Sequence, residues 1–400
     1  MSDVVIIGGG IVGLATGYHL LIRNPDLKLT LLEKEDHVAA HQTGHNSGVI
    51  HSGLYYAPGS LKATNCIRGY DMLLEFCRNE GIPFDLCGKI VVATNQEQLP
   101  LLQRLYDRGL QNGLSKIRKI SREEMREIEP HVNGLEGIWV PYTGIIDYKE
   151  VARHLARKIS NLGGTILFNH KVTTIRRAAE GLSEVITENG QAFVTRLVIN
   201  CAGLYSDKVA QLSQNEKINV RIIPFRGEYY KIRPEREYLV KNLIYPVPDP
   251  NFPFLGVHFT RMMEGGVEAG PNAVFAFKRE GYRFSDINLA ETFESLAWPG
   301  FRQVISKYWK TGLGEMYRSL SKQAFTKALQ ELIPDITIDD LIPGGAGVRA
   351  QACSFDGGLL DDFSIIENDV AVNVCNAPSP AATSSLSIGR TIAEKVQNRI

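Results

Sequence analysis

Three glycines near the start of the chain have the spacing of a dinucleotide-binding turn. Gly8, Gly10 and Gly13 follow a short apolar run, and Glu33 closes the next apolar run. In this pattern the first glycine permits a tight turn, the second lets the backbone approach a pyrophosphate, and the third lets a helix pack closely on a strand. The first N–H groups of that helix bind phosphate, and the acid accepts a hydrogen bond from a ribose hydroxyl. The order of these residues predicts a strand, a helix and a second strand that bind FAD or NAD.

Three further segments favour FAD as the dinucleotide. Residues 41–48, 200–203 and 376–383 are short runs of small and polar residues that form turns after predicted strands. FAD is long and buried throughout, so its site needs small residues and backbone donors at several distant points. An NAD-dependent dehydrogenase is disfavoured, because the last segment returns to the nucleotide-binding domain and no second nicotinamide site is evident.

Composition argues against several classes of function. The 400 residues are 44% hydrophobic and 22% charged, which is ordinary for a globular chain, and this length favours two domains. Basic and acidic residues number 44 each, so the net charge argues against a nucleic-acid partner. The six cysteines form no C-x-x-C pair, which argues against a zinc site, a redox dithiol or a disulfide scaffold. We therefore expect no metal.

Periodicity predicts an α/β chain. Helices are expected over residues 60–80, 147–162 and, in several pieces, 289–332, and Ser121 begins a capping box. The glycines of residues 343–347 predict a turn. Strands are predicted at residues 89–93, 165–168, 171–177, 196–200 and 370–374, with 165–168 and 171–177 forming a hairpin, and alternating segments such as 229–232 and 254–259 predict an antiparallel sheet within 220–277.

The predicted fold class is a Rossmann-like FAD-binding domain interleaved with an antiparallel-sheet α+β substrate domain. The FAD-binding domain is expected to comprise residues 1–86, 147–215 and 336–400. Residues 87–146 and 216–335 are assigned to the substrate domain. The chain therefore begins and ends in the same domain.

Four longer segments resemble a known family. Residues 45–56, 256–261, 276–282 and 376–389 are similar to those of the D-amino-acid oxidase-like FAD oxidoreductases, and within them to the L-2-hydroxyglutarate dehydrogenases and oxidases. The resemblance covers the whole chain. It implies a flavin that takes a hydride from C2 of L-2-hydroxyglutarate, giving 2-oxoglutarate, with electrons passed to a quinone or, less efficiently, to oxygen.

The resemblance also implies which residues contact the FAD. Besides the three glycines and the acid of the opening motif, the expected contacts are Lys34, Thr43, His45, Asn46, Ser47, Gly48, Val172, Ala202, Gly203, Pro380, Ala381, Ala382 and Thr383. Some relatives attach the flavin covalently through a histidine in the loop where His45 lies. We expect noncovalent FAD, because the family pattern does not require that linkage.

Oxidation of a 2-hydroxy diacid requires a base for the hydroxyl proton and cations for two carboxylates. Histidine suits the base near neutral pH, and either His51 or His258 could serve. By resemblance to related flavin oxidases, Arg349, which follows the glycine turn, binds one substrate carboxylate bidentately. The candidates for the second carboxylate are Arg261, Lys278 and Arg226.

A local basic segment suggests contact with a membrane. Residues 298–327 contain six lysines or arginines, one acid, and aromatic residues between them. Such a helix is suited to lie on an anionic membrane and bring the flavin close to the quinone pool. The alternative is a solvated helical lid whose aromatic residues pack on the core.

The expected location is the cytoplasmic side of a bacterial inner membrane, as a peripheral protein, and otherwise the cytoplasm. No targeting segment precedes the first predicted strand, and no apolar run reaches the ~18 residues of a membrane span.

Two alternative functions stay open. One is an FAD-dependent amine or imino-acid oxidase of the sarcosine or glycine oxidase type. The other is a flavoprotein that binds a ligand without turning it over, or one that acts on RNA. The neutral net charge weighs against RNA.

Overall fold

The computed structural model describes residues 1–214, 217–249 and 255–400. Its α-helices are α1 (Ile11–Arg23), α2 (Leu61–Glu80), α3 (Leu99–Gln111), α4 (Arg122–Ile128), α5 (Tyr148–Asn161), α6 (Ser206–Leu212), α7 (Leu289–Ala297), α8 (Pro299–Leu320), α9 (Lys322–Gln330) and α10 (Ala381–Val396). Its strands are β1 (Ser2–Ile7), β2 (Leu29–Leu32), β3 (Val49–Ile50), β4 (Phe84–Asp85), β5 (Lys89–Ala93), β6 (Arg118–Ser121), β7 (Glu136–Val140), β8 (Gly144–Ile146), β9 (Thr165–Leu167), β10 (Val172–Arg177), β11 (Ser183–Thr187), β12 (Ala192–Asn200), β13 (Val220–Ile232), β14 (Leu243–Pro246), β15 (His258–Arg261), β16 (Val267–Gly270), β17 (Val274–Phe275), β18 (Leu341–Ser354), β19 (Ser364–Glu367) and β20 (Ala371–Asn376).

A mainly parallel sheet joins distant parts of the chain. Strand β1 lies between β2 and β12, β9 pairs with β2, and β20 pairs with the end of β12, all in parallel. Antiparallel strands β10 and β11 extend one edge. The central strand β1 is apolar from Val4 to Ile7 because its sheet is covered on both faces.

Helices from both ends of the chain share one core beside this sheet. Leu14 of α1, Leu155 of α5 and Ile392 of α10 are fully buried in the same cluster. Helices α1 and α10 pack closely, since a Cβ added at Gly389 would lie 2.5 Å from the backbone carbon of Ala15. The first and last helices therefore depend on each other.

The second sheet is mostly antiparallel and has the order β17-β13-β16-β15-β14-β5-β7-β6, with β18 paired along β13. Only β5 and β14 run parallel among the pairs described. Helix α9 covers part of the sheet through Phe325 and Leu329, which are buried with Phe259. A small third sheet, β3-β8-β4, pairs with no described strand of either larger sheet.

The structure confirms several sequence expectations about elements. Helices α2 and α5 occupy the predicted ranges, and Ser121 forms the capping box of α4 with Glu124. The predicted strand at 196–200 joins the first sheet as part of β12. The expected domain boundary at residues 215 and 216, and Phe254 in the predicted strand 254–259, lie outside the described residues.

Two sequence expectations are wrong. Residues 165–168 and 171–177 do not form a hairpin, because Thr165 pairs in parallel with Thr30 whereas β10 pairs with β11. Residues 343–347 are not a turn but part of strand β18. Their glycines permit close backbone approach, since a Cβ added at Gly344 would lie 2.5 Å from the carbonyl oxygen of Tyr229.

Replacing Gly389 with alanine is expected to destabilise the protein by roughly 1–3 kcal/mol, because its methyl group would overlap backbone atoms that cannot rotate away. The matched control is Gly314→Ala in α8, where an added Cβ has no neighbour within 4 Å. That control should raise stability by up to about 1 kcal/mol through helix propensity. Denaturant unfolding of both variants provides the comparison, and equal midpoints would contradict the proposed α1–α10 contact.

Candidate functional site

A single cavity of about 1120 Å³ extends from the glycine turn of the first sheet to residues of the second sheet. Its lining includes Gly8 and Glu33 at one end and Tyr229, His258 and Arg349 at the other. A volume of this size exceeds the ~300–1000 Å³ of ordinary small-molecule pockets. The cavity therefore has room for an extended cofactor together with a small substrate.

The glycine turn has the geometry that a pyrophosphate site requires. Gly8 has φ +112°, and a Cβ there would lie 2.5 Å from the carbonyl oxygen of Cys201. Gly10 is the N-cap of α1 and provides no side-chain cap, so the helix start is not covered by its own side chain. A Cβ at Gly13 would lie 2.1 Å from the carbonyl oxygen of Gly8, which explains the close packing of helix on strand. These features fit a phosphate group at the start of α1.

Glu33 lies beside the turn and is held by two backbone donors. Its Oε2 accepts the N–H of Gly9 at 2.6 Å, and its Oε1 accepts the N–H of Glu35 at 2.9 Å. Because each carboxylate oxygen accepts more than one hydrogen bond, Glu33 retains capacity for ribose hydroxyls. The buried carboxylate at the cavity wall thus fits the predicted ribose contact.

Lys34 lines the cavity within a network of charged side chains. Its ammonium lies 2.7 Å from Glu280 and also contacts Glu35, and His41 lies 2.8 Å from Glu35. Glu35, His41 and Glu280 offer ligand atoms within 4.8 Å of one another, which resembles a metal-binding group. The lysine already supplies a positive charge to these carboxylates, so this cluster does not require a metal.

Most of the predicted cofactor contacts lie on the cavity wall. The residues that line it are Gly8, Gly10, Glu33, Lys34, Thr43, His45, Asn46, Ser47, Val172, Ala202, Gly203, Pro380, Ala381 and Ala382. Three predicted contacts do not belong to the described residues that line the cavity. They are Gly13, Gly48 and Thr383. The Thr383 hydroxyl lies 2.8 Å from Tyr148 Oη and accepts the N–H of His51, so it supports the wall from behind. FAD contact by these three stays a prediction.

His45 is held in the loop predicted to contact the flavin. Its Nδ1 lies 3.2 Å from the carbonyl oxygen of Ala346, and its ring stacks on Tyr282 at 4.3 Å between centroids. Burial lowers the pKa of His45 below its usual value. The expectation of noncovalent FAD is tested by acid precipitation, since a covalent flavin would remain in the pellet.

His258 has the geometry of a general base. It lies at the start of β15, is buried, and its Nδ1 lies 2.9 Å from the carbonyl oxygen of Gly256. Because that oxygen only accepts, Nδ1 carries the proton of the neutral imidazole and Nε2 keeps its lone pair. Burial lowers the pKa of His258 to about 3, so the ring is neutral near pH 7.

His51 lies on the same cavity wall but is held differently. Its backbone N–H donates to Thr383 Oγ1 at 3.1 Å, and its carbonyl oxygen accepts from Cys66. Burial, followed by the positive charge of Lys89, lowers the pKa of His51 to about 3. No side-chain hydrogen bond orients its imidazole within the described part of the chain, whereas the Gly256 carbonyl orients that of His258.

Arg349 lies in β18 opposite Phe225 of β13, and its side chain lines the cavity. Burial is the main cause of a lowered pKa for this guanidinium, although Tyr229 opposes it. The strand thus carries the predicted anion-binding arginine without the expected turn before it. A half-buried cation at this wall is suited to bind a carboxylate.

None of the predicted cations for a second carboxylate, Arg226, Arg261 and Lys278, is among the described residues that line the cavity, and contact of any of them with substrate stays a prediction. Arg226 is fully buried and donates to Glu228 and to the carbonyl oxygen of Arg283. Arg261 forms an ion pair with Asp85. The position of Arg226 follows from the alternation of side chains along β13. Gly227 and Tyr229 line the cavity, so Arg226 faces the other side of the strand.

Sequence reasoning missed Lys89, which is 1% exposed. Its Nζ lies 4.4 Å from the ring centroid of Tyr55 and 4.7 Å from that of Tyr245, and both tyrosines line the cavity. Burial lowers the pKa of Lys89 to about 7. The available signal was a lysine at the start of an otherwise apolar strand, all five residues of which are buried.

Helix α8 presents an exposed apolar stripe. Trp309, Leu313, Tyr317 and Leu320 are each more than half exposed and recur at helical spacing. Phe301 is buried, and Trp298 and Tyr308 pack against the same cluster, so these three aromatic residues pack on the core. In the neighbouring helix α7, Leu289 and Phe293 are also largely exposed, and Arg302, Lys307 and Lys310 are exposed along α8. Among the described helices, none is both long and apolar enough to cross a bilayer.

Comparisons with known proteins agree with this geometry along the whole chain. The model of a family described as FAD dependent oxidoreductase matches residues 3–395. A protein of Indibacter alkaliphilus named L-2-hydroxyglutarate dehydrogenase is 65% identical, covering 98% of this chain and 98% of that protein. The mitochondrial L-2-hydroxyglutarate dehydrogenase of Homo sapiens is 47% identical, covering 99% of this chain and 89% of the relative. Among solved structures, the dithionite-reduced L-α-glycerophosphate oxidase of Mycoplasma pneumoniae with FAD bound has a TM-score of 0.81 at 26% identity, covering 99% of this chain and 94% of that one.

Proposed function

The chain belongs to the family of FAD-dependent oxidoreductases, and from this premise we propose that it oxidises L-2-hydroxyglutarate to 2-oxoglutarate. It is an oxidoreductase that acts on a hydroxy acid. The observation that carries the specific substrate is the 65% identity over nearly the full length of a protein bearing that name. The site supports it, because a neutral histidine and a half-buried arginine share the cavity wall.

The proposed base is His258. Its Nε2 lone pair accepts the C2 hydroxyl proton while Nδ1 stays bonded to the Gly256 carbonyl, so the ring does not need to rotate. The imidazolium that forms is stabilised by the carboxylates of the bound diacid, which offset the cost of a charge in a buried site. Bound FAD supplies the acceptor for the hydride that leaves C2.

Arg349 is proposed to bind the carboxylate next to the reacting carbon. A guanidinium offers two parallel donors to a carboxylate, which fixes the orientation of C2 as well as the charge. Its position in a long strand paired along β13 limits its motion. The chain's own contribution to the reaction is therefore to orient the substrate, exclude water and hold the proton at His258.

The proposed electron acceptor is membrane quinone, with oxygen as a slow alternative, and the proposed contact with the membrane is the α8 stripe. Exposed apolar side chains enter the interface between headgroups and acyl chains, and the basic residues of the same helix attract anionic lipid. Basic charge together with exposed aromatic surface favours an anionic membrane over a neutral protein partner.

Anaerobic addition of L-2-hydroxyglutarate to the purified holoprotein is expected to bleach the flavin absorbance near ~450 nm, since the cofactor must accept the hydride. D-2-hydroxyglutarate and sarcosine should leave it unchanged. Bleaching by sarcosine would instead support an amine oxidase, and bleaching by none of the three would contradict the proposed substrate.

After reduction, a water-soluble quinone should reoxidise the flavin faster than dissolved oxygen, and the reverse order would contradict the proposed acceptor.

Replacing His258 with glutamine should lower kcat by roughly 10²–10⁴-fold, because the side chain keeps a polar group but cannot take a proton. The effect on KM should be much smaller. His51→Gln is the matched comparison, since both imidazoles have a pKa lowered to about 3 by burial. A larger fall in kcat for His51→Gln would transfer the role of base to His51.

Sedimentation with vesicles containing phosphatidylglycerol tests the membrane contact. The protein should bind at low salt and bind less as salt rises, because screening weakens attraction to the lipid. The double change Trp309→Ser and Leu313→Ser should weaken binding roughly tenfold or more by removing buried apolar area. Leu110→Ser, at an exposed leucine of α3, is the control and should bind normally. Failure of the unaltered protein to bind at low salt would refute the proposal.

A further inference from the structure

Lys89 is a buried ammonium group beside the substrate end of the cavity. It forms no ion pair with a carboxylate in the described part of the chain. Its ammonium instead makes cation–π contacts with the faces of Tyr55 and Tyr245. Burial of an ammonium group without an anionic partner is unfavourable, even when aromatic rings compensate for part of the lost hydration. Such a group is expected where an anionic ligand supplies the missing charge.

Strand order places Lys89 and Arg349 on opposite sides of the proposed base. The sequence of paired strands is β5, β14, β15, β16, β13 and β18, with Lys89 on β5, His258 on β15 and Arg349 on β18. Since paired strands lie ~4.8 Å apart, Lys89 is two strands from the base on one side and Arg349 is three strands from it on the other. Both long side chains act on the base across these strands, since, after burial, the positive charges of Arg349 and Lys89 each contribute to the lowered pKa of His258. A diacid whose reacting carbon lies beside His258 can therefore direct one carboxylate toward Arg349 and the other toward Lys89.

Tyr245 connects the base to this lysine. Its ring stacks on that of His258 at 3.9 Å between centroids, and the Lys89 ammonium lies 4.7 Å from the centroid of the same ring. Tyr245 and Tyr55 line the cavity, whereas Lys89, whose ammonium packs on both rings, is not among the described lining residues. The positive charge thus lies within one aromatic ring of the cavity, where a low dielectric strengthens its attraction for an anion.

We propose that Lys89 supplies the positive charge for the carboxylate farther from the reacting carbon, and that it thereby determines the preference for a diacid over a monoacid. This inference rests on the proposed function, because it assigns the two ends of that substrate. Arg349 then holds the carboxylate adjacent to C2, and Lys89 selects for the second one. The role is that of a specificity-determining residue rather than of a proton-transfer group.

The groups that face Lys89 carry no negative charge near neutral pH. Burial raises the pKa of Tyr55 and Tyr245 above their usual value and that of Cys66 to about 12. Burial also lowers the pKa of His51 and His258 to about 3, so both are neutral. The carboxylate of a bound diacid is therefore the negative charge that favours protonated Lys89.

This arrangement predicts a pH dependence with a definite sign. Burial lowers the pKa of Lys89 to about 7 in the free protein, so the ammonium form is lost as pH rises through neutrality. A bound carboxylate favours the ammonium form, and by linkage the protein binds a diacid more weakly above pH 7. Binding of a monoacid should show no such loss, because its apolar end does not require the charge.

The experiment measures competitive inhibition of L-2-hydroxyglutarate oxidation by glutarate and by pentanoate, which differ only in the second carboxylate. Lys89→Met should reduce the preference for glutarate by about tenfold or more, as expected when one member of a buried charge pair is removed. Lys231→Met is the matched control, because Lys231 is exposed on β13 of the same sheet. That control should leave the preference unchanged.

An unchanged preference in Lys89→Met overturns the inference while leaving the proposed function intact. If the unaltered enzyme does not oxidise L-2-hydroxyglutarate, both are overturned. Should Lys89→Met fail to fold, the pH profile of the unaltered enzyme decides. A glutarate inhibition constant that rises between pH 7 and 9 while that of pentanoate stays level supports the role of Lys89, and parallel profiles for the two inhibitors overturn it.

Discussion

The close backbone contact at the first turn organises the rest of the molecule. Gly8 packs against the Cys201 carbonyl after β12, and Gly13 packs against Gly8 itself, at distances that no side chain would permit. The turn is therefore formed only when the beginning and the middle of the chain meet. Gly389 extends the same dependence to the last helix, because α10 lies against the backbone of α1. The first sheet can be completed only by strands separated by the residues of the second sheet, which accounts for the interleaved order.

Charge distribution separates the two ends of the cavity. Carboxylates such as Glu33 and Glu280 lie at the end with the glycine turn, where backbone N–H groups and Lys34 compensate them. The wall formed by the second sheet instead presents Arg349 and, one ring behind the surface, Lys89. Burial keeps His258 neutral between these cations. One end of the cavity is thus suited to ribose and phosphate, and the other to a small anion that must lose a proton.

Local sequence patterns succeeded where their physical cause is local. The glycine motif, the capping box at Ser121 and the amphipathic helix α5 depend on neighbouring residues, so they were predictable. The glycines of residues 343–347 were misassigned because close backbone approach to a distant strand and a tight turn both favour glycine. Lys89 was missed for a related reason. A lysine at a strand end is usually solvated, and its burial follows from contacts with Tyr55 and Tyr245, which are distant in sequence.

The sequence by itself determined the dinucleotide turn, the α/β class and the family resemblance, because these depend on residue types at short and regular spacing. Tertiary structure alone decided which side chains share the cavity wall. Strand order placed His258 between Lys89 and Arg349, and alternation along β13 turned Arg226 away from the cavity. It also determined that Trp309 is exposed while Phe301 is buried. The physical reason is that burial, and with it charge state and contact, arises from surfaces that meet only when distant segments pack together.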